Sequence, residues 1–278
     1  MVQTVILPRF PVMSSDLAKP PTPTAVALSI AGSDSGAGAG IQVDLLTFAA
    51  HGVYGTTAIT CLTAQNPKGV SAVHAAPASF VIEQCEQVCR HYAPRALKTG
   101  MLFNQAIVEA VADFIRKNKI PAVIDPVMVA TSGATLLTEE AVASLKSQLI
   151  PLATLVTPNL DEAAILLSRP VKGGDNCEAE ALALAQIYRV PFLLKGGHSH
   201  GQLLVDTLAW PDGRTAKFTA NRIEKIDTHG SGCTLSAAIT ARLALGEDLL
   251  AAVQTAHAYL QKGMHQPLFV GGANQIRH

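Results

Sequence analysis

The chain is expected to fold as a three-layer α/β/α protein, with a mostly parallel central sheet and one antiparallel hairpin at an edge. Three observations carry this. Apolar runs of strand length alternate with helical patterns from Thr24 to about His265, which is the mark of strand–helix–strand units with helices on both faces. Almost half of the 278 residues are apolar (49%) and only 15% are charged, against about 25% in an ordinary soluble domain. The first strand candidate, Val26 to Ala31, is continuously apolar rather than alternating, as strands covered on both faces are.

The elements follow in order. Val26 to Ala31 is an apolar run ended by Gly32; Ile41 to Ala50 reads as a helix and Thr56 to Thr63 as a β-branched strand. Ser79 is placed to cap a helix running through Tyr92. Ala96 to Thr99 is a short strand, and Asn104 caps a helix carrying Ile107, Val108, Val111, Phe114 and Ile115. Ala122 to Val127 is a strand, Thr138 caps the next helix, Leu155 to Thr157 is a strand, and helices follow over Leu160 to Leu167 and Cys177 to Tyr188. Phe192 to Lys195 is a strand that leaves through Gly196-Gly197. Leu203 to Trp210 and Arg214 to Thr219 flank a Pro211-Asp212-Gly213 turn and make the hairpin. Gly232 to Leu245 and Asp248 to Lys262 are the closing helices.

Composition excludes several classes. Twenty-one basic and 21 acidic residues give zero net charge, without the basic excess of a nucleic-acid surface. No apolar run reaches the roughly 18 residues of a membrane span. Five cysteines (Cys61, Cys85, Cys89, Cys177, Cys233), odd in number and without a CxxC pair, point to reduced thiols and a cytoplasmic location. Cys85 and Cys89, one helical turn apart, read as buried small hydrophobes. Residues 1–24, with five of the sixteen prolines, read as a flexible leader and not a signal peptide. Residues 25–265 are taken as one domain and 266–278 as a loose tail.

Open parallel sheets bind ligands beyond the carboxyl ends of their strands, and the polar motifs fall there. Thr228-His229-Gly230-Ser231-Gly232-Cys233-Thr234 turns tightly into an amphipathic helix. Backbone amides and the helix dipole at such a turn make a hole for an anion such as a phosphoryl group, and the dipole favours a thiolate at Cys233. The pattern also fits an ordinary glycine-rich helix entry with a buried cysteine. Gly32-Ser33-Asp34-Ser35-Gly36-Ala37-Gly38-Ala39-Gly40 follows a strand and opens a helix, but its glycines recur every second residue. That spacing fits neither a dinucleotide fingerprint nor a Walker A loop, and it argues against a nicotinamide oxidoreductase. Asp34 and Asp44 are its carboxylates. Asn159 and Glu162 stand at capping-box spacing, or hold waters of Mg²⁺ beside a triphosphate. Lys195 is a phosphate-facing cation or a strand terminus. His198, His200 and His229 lack metal-ligand spacing.

Seven segments in fixed order carry a resemblance: the glycine loop, Thr63-Ala64-Gln65-Asn66, Lys98-Thr99-Gly100-Met101-Leu102, Asp125-Pro126-Val127-Met128-Val129-Ala130, Thr157-Pro158-Asn159-Leu160-Asp161-Glu162-Ala163, Lys195-Gly196-Gly197-His198, and the Thr228 to Ala237 turn. From about Ala25 to Met264 the chain resembles the hydroxymethylpyrimidine/phosphomethylpyrimidine kinases of thiamine biosynthesis, in the ribokinase-like superfamily. The resemblance implies a ribokinase-like fold, ATP and Mg²⁺, and successive phosphorylation of 4-amino-5-hydroxymethyl-2-methylpyrimidine and its monophosphate. It also implies a homodimer.

Residue by residue, the resemblance places the pyrimidine at Gln65, whose amide offers donor and acceptor together. Ala39, Thr63, Met101 and Val127 line the same pocket, with Asp44 nearby. Gly230, Ser231, Gly232 and Cys233 form the catalytic anion hole, with Cys233 where sugar kinases carry their aspartate base, so that it either takes the proton as a thiolate or contributes through its amide. Lys195, Asn159 and Thr228 fall to the nucleotide, and Glu162 to Mg²⁺ through water. Two departures stand out. Thr131 and Ala134 replace a lysine and an aspartate of the family, removing a phosphate contact, and the C-terminal glycine signature is reduced to Phe269-Val270-Gly271-Gly272. Pyridoxal kinase, which shares the fold and the anion hole, is the nearest alternative; a non-catalytic pyrimidine sensor is another.

Overall fold

The structure is a computed structural model that describes residues 24–66, 69–128, 137–171, 177–196 and 202–278. Residues 1–23 of the leader, the Thr131 and Ala134 departures, and Gly197, His198 and His200 lie outside the described residues.

Nine strands form one sheet: β1 (Val26–Asp34), β2 (Tyr54–Asn66), β3 (Gly69–Ala75), β4 (Ala96–Thr99), β5 (Ala122–Ile124), β6 (Leu155–Val156), β7 (Phe192–Leu194), β8 (Leu203–Ala209) and β9 (Thr215–Asn221). Their order is β3-β2-β1-β4-β5-β6-β7-β8-β9. The six from β2 to β7 are parallel. The β8–β9 hairpin extends one edge as expected. The other edge carries a second antiparallel pairing, β2 with β3, which the sequence reading omitted.

Helices α1 (Gly40–Ala50), α2 (Ala78–Tyr92), α3 (Gln105–Asn118), α4 (Glu139–Ser144), α5 (Leu160–Leu167), α6 (Cys177–Tyr188), α7 (Ser231–Ala244) and α8 (Leu249–His265) cover the sheet. Strand periodicity explains the layers. Alternate residues point to opposite faces, so Ala122 and Ile124 join the core under α2 to α6 while Val123 joins the core under α7 and α8. Phe192 and Leu194 divide from Leu193 in the same way. Ala27 and Ala96 pack with Phe48 of α1 and Ala237 and Ala241 of α7.

Three caps stand where expected. Asn104 accepts from Ile107 N, Thr138 from Ala141 N, and Asn159 with Glu162 closes a capping box. Ser79 does not cap α2: the cap position is Pro77, which makes no side-chain bond, and Ser79 lies inside the first turn. The strand expected over Ala122 to Val127 stops at Ile124, because Pro126 interrupts it and Val127 turns to φ +34°. Residues 266–278 are not a loose tail. β10 (Leu268–Val270) and β11 (Ala273–Gln275) form an antiparallel hairpin, and Ile276 buries itself beside Leu260 and Met264. Gly271 and Gly272 at φ +62° and +86° supply the two left-handed positions that a tight hairpin turn requires.

Candidate active site

One cavity of about 860 Å³ opens beyond the carboxyl ends of β1, β4, β5 and β7. It is lined by Gln65, Thr63, Ala39, Met101 and Val127, and by Asn159, Glu162, Lys195, Thr228, Gly230, Ser231, Gly232 and Cys233. Thirteen of the residues singled out from the sequence therefore share one space.

Asp44 is the exception. It is fully buried beneath the cavity floor, where its carboxylate accepts from Lys98 Nζ at 2.7 Å and from Ser29 Oγ at 2.5 Å. Position 44 lies four residues into α1, one turn below the loop, so its side chain points into the core. Lys98 of the Lys98-Thr99-Gly100-Met101 segment reaches the cavity in its place. Burial pulls its ammonium down, but Asp44 first, then Cys233 and Asp125, hold it above the ordinary lysine value.

The turn before α7 is built as an anion hole. Gly230 takes φ +80° as the N-cap, and a Cβ there would meet Gly38 O at 1.9 Å, so only glycine fits. Ser231 N donates to Thr228 O at 3.0 Å, and the first intrahelical bond is Thr234 N to Gly230 O at 2.8 Å. The amides of Gly232 and Cys233 therefore have no partner within the helix; that of Ser231 is already used, contrary to the expectation that all four turn amides act together. Lys195 Nζ lies over this turn, 3.0 Å from where a Gly232 Cβ would stand.

Expectation and structure also differ at Cys233. Burial pushes its thiol up to about 11, with Asp44 and Asp125 adding to the rise. Lys98 and the Gly40 N–H work the other way and lose. Desolvation outweighs the helix dipole, so the resting group is a thiol.

Asp125 was missed among the site residues, although its position at the end of β5 before Pro126 was a signal. Lys195 Nζ stands 3.3 Å from its Oδ1, and Ser236 donates to Oδ2 at 3.1 Å. Glu162 accepts from Asn159 N at 2.8 Å and Met128 N at 3.3 Å. Burial raises its carboxyl, Lys195 lowers it, and Asp125 raises it further. For Lys195, burial acts downward but Asp125 and Glu162 lift the ammonium above its usual value. The left-handed Val127, unfavourable for a β-branched residue, directs the Met128 amide at Glu162.

Among the described residues no three His, Cys, Asp or Glu side chains converge as a metal cage. Both Glu162 oxygens already accept protein hydrogens. Asp125, Asn159 and Glu162 thus fit a cation that keeps its water and arrives with phosphates, as Mg²⁺ does.

Unpaired amides at a helix start, flanked by a lysine ammonium and facing a pocket of small neutral side chains, are the parts of a small-molecule phosphotransferase. The comparisons narrow this. The family model described as phosphomethylpyrimidine kinase matches residues 34–277, and the chain belongs to that family. A hydroxymethylpyrimidine/phosphomethylpyrimidine kinase of Synechococcus elongatus is 44% identical over 239 residues, 86% of this chain and 91% of its own. The crystal structure of phosphomethylpyrimidine kinase from Clostridium difficile aligns with TM-score 0.75 and 38% identity, covering 86% of this chain and 99% of that one. A Bacillus subtilis pyridoxal kinase in complex with ADP aligns with TM-score 0.81 at 32% identity, over 92% and 97% of the two chains. The fold is ribokinase-like.

Proposed function

We propose that this chain transfers the γ-phosphoryl group of ATP to 4-amino-5-hydroxymethyl-2-methylpyrimidine and then to its monophosphate, supplying the diphosphate for thiamine biosynthesis. The observation that carries this is the shared cavity: the Gln65 pocket and the Gly232–Cys233 amides line the same 860 Å³. Gln65 reads the aminopyrimidine edge, with Ala39, Thr63, Met101 and Val127 around the ring. The hydroxymethyl oxygen then faces the turn before α7. The amides of Gly232 and Cys233 and the Lys195 ammonium stabilise the charge on the moving phosphoryl group. Phosphoryl transfer through a loose transition state asks for alignment and neutralisation more than for a strong base, which suits a site whose thiol stays protonated.

The nucleotide lies toward Leu204, Ala220, Ile223, His257 and Met264, the apolar wing of the same cavity, with Asn159 and Thr228 near its phosphates. Mg²⁺ would be held through water by Glu162, Asp125 and Asn159, and would supply neutralisation of the β and γ oxygens. The reading includes a homodimer in the cytoplasm; that the five cysteines form no disulfide supports the compartment, and no described helix is long and apolar enough to cross a membrane. ATP consumption measured side by side with hydroxymethylpyrimidine, its monophosphate and pyridoxal tests it. Turnover of both pyrimidines is expected, and a clear preference for pyridoxal would overturn it.

A further inference from the structure

His229 stands directly before Gly230, and the chemistry above gives it no task. Its ring packs on the glycine loop, with Cδ2 2.8 Å from where a Gly38 Cβ would be. Its backbone N–H donates to Asp227 Oδ1 at 2.9 Å. The ring atom Nε2 lies 3.2 Å from Asp34 Oδ2 and also 3.2 Å from Gln65 Nε2. The two contacts make opposite demands. A carboxylate only accepts, so Asp34 requires a hydrogen on Nε2, whereas an amide NH₂ only donates and requires Nε2 bare.

The neighbours decide between them. Asp34 is an anchored anion: it accepts from Gly36 N at 2.7 Å and Ala39 N at 2.9 Å. Burial raises its carboxyl, but His229, Gly36 and Ala39 together hold it below the usual range. Among the described residues the Gln65 amide has no backbone N–H anchor of this kind. Its Oε1 lies 3.1 Å from Thr63 Oγ1, and that hydroxyl also lies 2.9 Å from Ser33 O. As built, the one Thr63 hydrogen faces two acceptors and the Gln65 NH₂ faces a donating Nε2. Turning the Gln65 amide end for end exchanges its nitrogen and oxygen and removes both conflicts. The single Nε2–H of His229 is then shared between Asp34 Oδ2 and the Gln65 oxygen, Gln65 Nε2 donates to Thr63 Oγ1, and Thr63 donates to Ser33 O.

We propose that His229 is a positioning residue for the pyrimidine site: carrying its hydrogen on Nε2 against Asp34, it turns the Gln65 carbonyl toward the phosphate turn and the NH₂ toward Thr63. The inference rests on Gln65 reading the pyrimidine. One lone pair and one N–H of the amide remain for the ligand, in fixed order. They suit a ring that presents an exocyclic amine beside a ring nitrogen, and not one that lacks the amine.

Kinetics of His229→Leu and His229→Gln in the full chain test this, because a Gln amide can supply an N–H near the place of Nε2 and Leu cannot. In His229→Leu the KM for hydroxymethylpyrimidine is expected to rise about tenfold or more, from the loss of one half-buried hydrogen-bond donor. The KM for ATP stays the same and kcat stays within about threefold, while His229→Gln recovers most of the lost affinity. An unchanged pyrimidine KM in His229→Leu, or equal losses in both variants, overturns the proposal. Should His229→Leu fail to fold, ¹H–¹⁵N spectra of the imidazoles in the unaltered protein decide, with His229 assigned by its absence in His229→Gln. A protonated Nε2 is expected and a bare one overturns the assignment. Failure of the substrate reading is distinguishable, since the unaltered protein would then turn over pyridoxal and not the pyrimidine.

Discussion

Around the part of the cavity proposed for the pyrimidine the groups that face the ring are Gln65, Thr63, Ser33 and Met101, all neutral, with the Asp34 carboxylate acting on them only through His229. Their geometry comes from hydrogen bonds to backbone, to one another and to that histidine. At the phosphate end stand Asp125, Glu162, Lys195 and, on the floor, Lys98 with Asp44 behind it, and their geometry comes from charge held out of water. Recognition of a small neutral ring needs donors and acceptors in order. Handling a polyanion needs fixed charges whose desolvation has already been offset within the protein. The two ends should therefore fail differently when cut.

The sharpest contrast is in stability. Lys98 and Asp44 are both fully buried and 2.7 Å apart. Lys98→Met strands the Asp44 carboxylate, and a loss of about 3–5 kcal/mol is expected on denaturant unfolding. The double variant Lys98→Met/Asp44→Leu removes both charges and should recover most of that stability. It should still lose about tenfold in kcat, since the ammonium near Cys233 is gone. If the single variant unfolds like the unaltered chain, the phosphate end is not held by buried charge.

Next in size is the turn. Gly230→Ala adds a Cβ at φ +80° against Gly38 O. A fall in kcat of about a hundredfold or more is expected, the scale of losing an anion-hole donor, with hydroxymethylpyrimidine still bound. Equilibrium binding of the pyrimidine, measured without ATP, separates the ends here: abolished binding would mean that the turn also shapes the ring pocket.

At the neutral end effects are smaller and fall on affinity. Gln65→Ala removes the amide proposed to read the ring, and the KM for the pyrimidine should rise by about one to two powers of ten while unfolding stability is little changed. Gln65→Glu should be no better, because a carboxylate has no N–H to give. A loss confined to kcat would overturn the division of labour between the two ends.

The same division explains what could be read in the chain beforehand. The caps at Asn104, Thr138 and Asn159 were legible because each is local, a side-chain oxygen beside an amphipathic start. Gly271-Gly272 after the apolar Leu268-Phe269-Val270 was a hairpin signal, and β3 was hidden by its exposed, weakly patterned residues. Gln65 and the turn at Gly230 to Cys233 were legible as motifs, and the structure brings them to one cavity. Lys98, Asp125 and the inward turn of Asp44 were not legible as a charge cluster, because their pairing is across strands and helices far apart in sequence. Of the two roles open to Cys233, thiolate base and amide donor, the choice was not legible for the same reason: the dipole is local, whereas the burial that raises the thiol is tertiary.

Cys233 therefore gives the smallest expected effect and the most informative one. A thiol held at about 11 is almost wholly protonated at neutral pH. Were its thiolate the base, kcat would climb about tenfold per pH unit on the way up to that value. We expect instead no rise from this group between about pH 7 and 9, because the Cys233 contribution is its backbone N–H, which does not titrate in that range. Cys233→Ser and Cys233→Ala keep that N–H, and each should stay within about tenfold of the unaltered kcat. Serine offers no base near neutrality and alanine offers none at all. Equal, modest losses in both, with unchanged pH profiles, would assign the residue to the anion hole. A collapse in both, together with a rate in the unaltered enzyme that rises with pH, would return it to the role of base and make the floor of the phosphate end reactive as well as electrostatic.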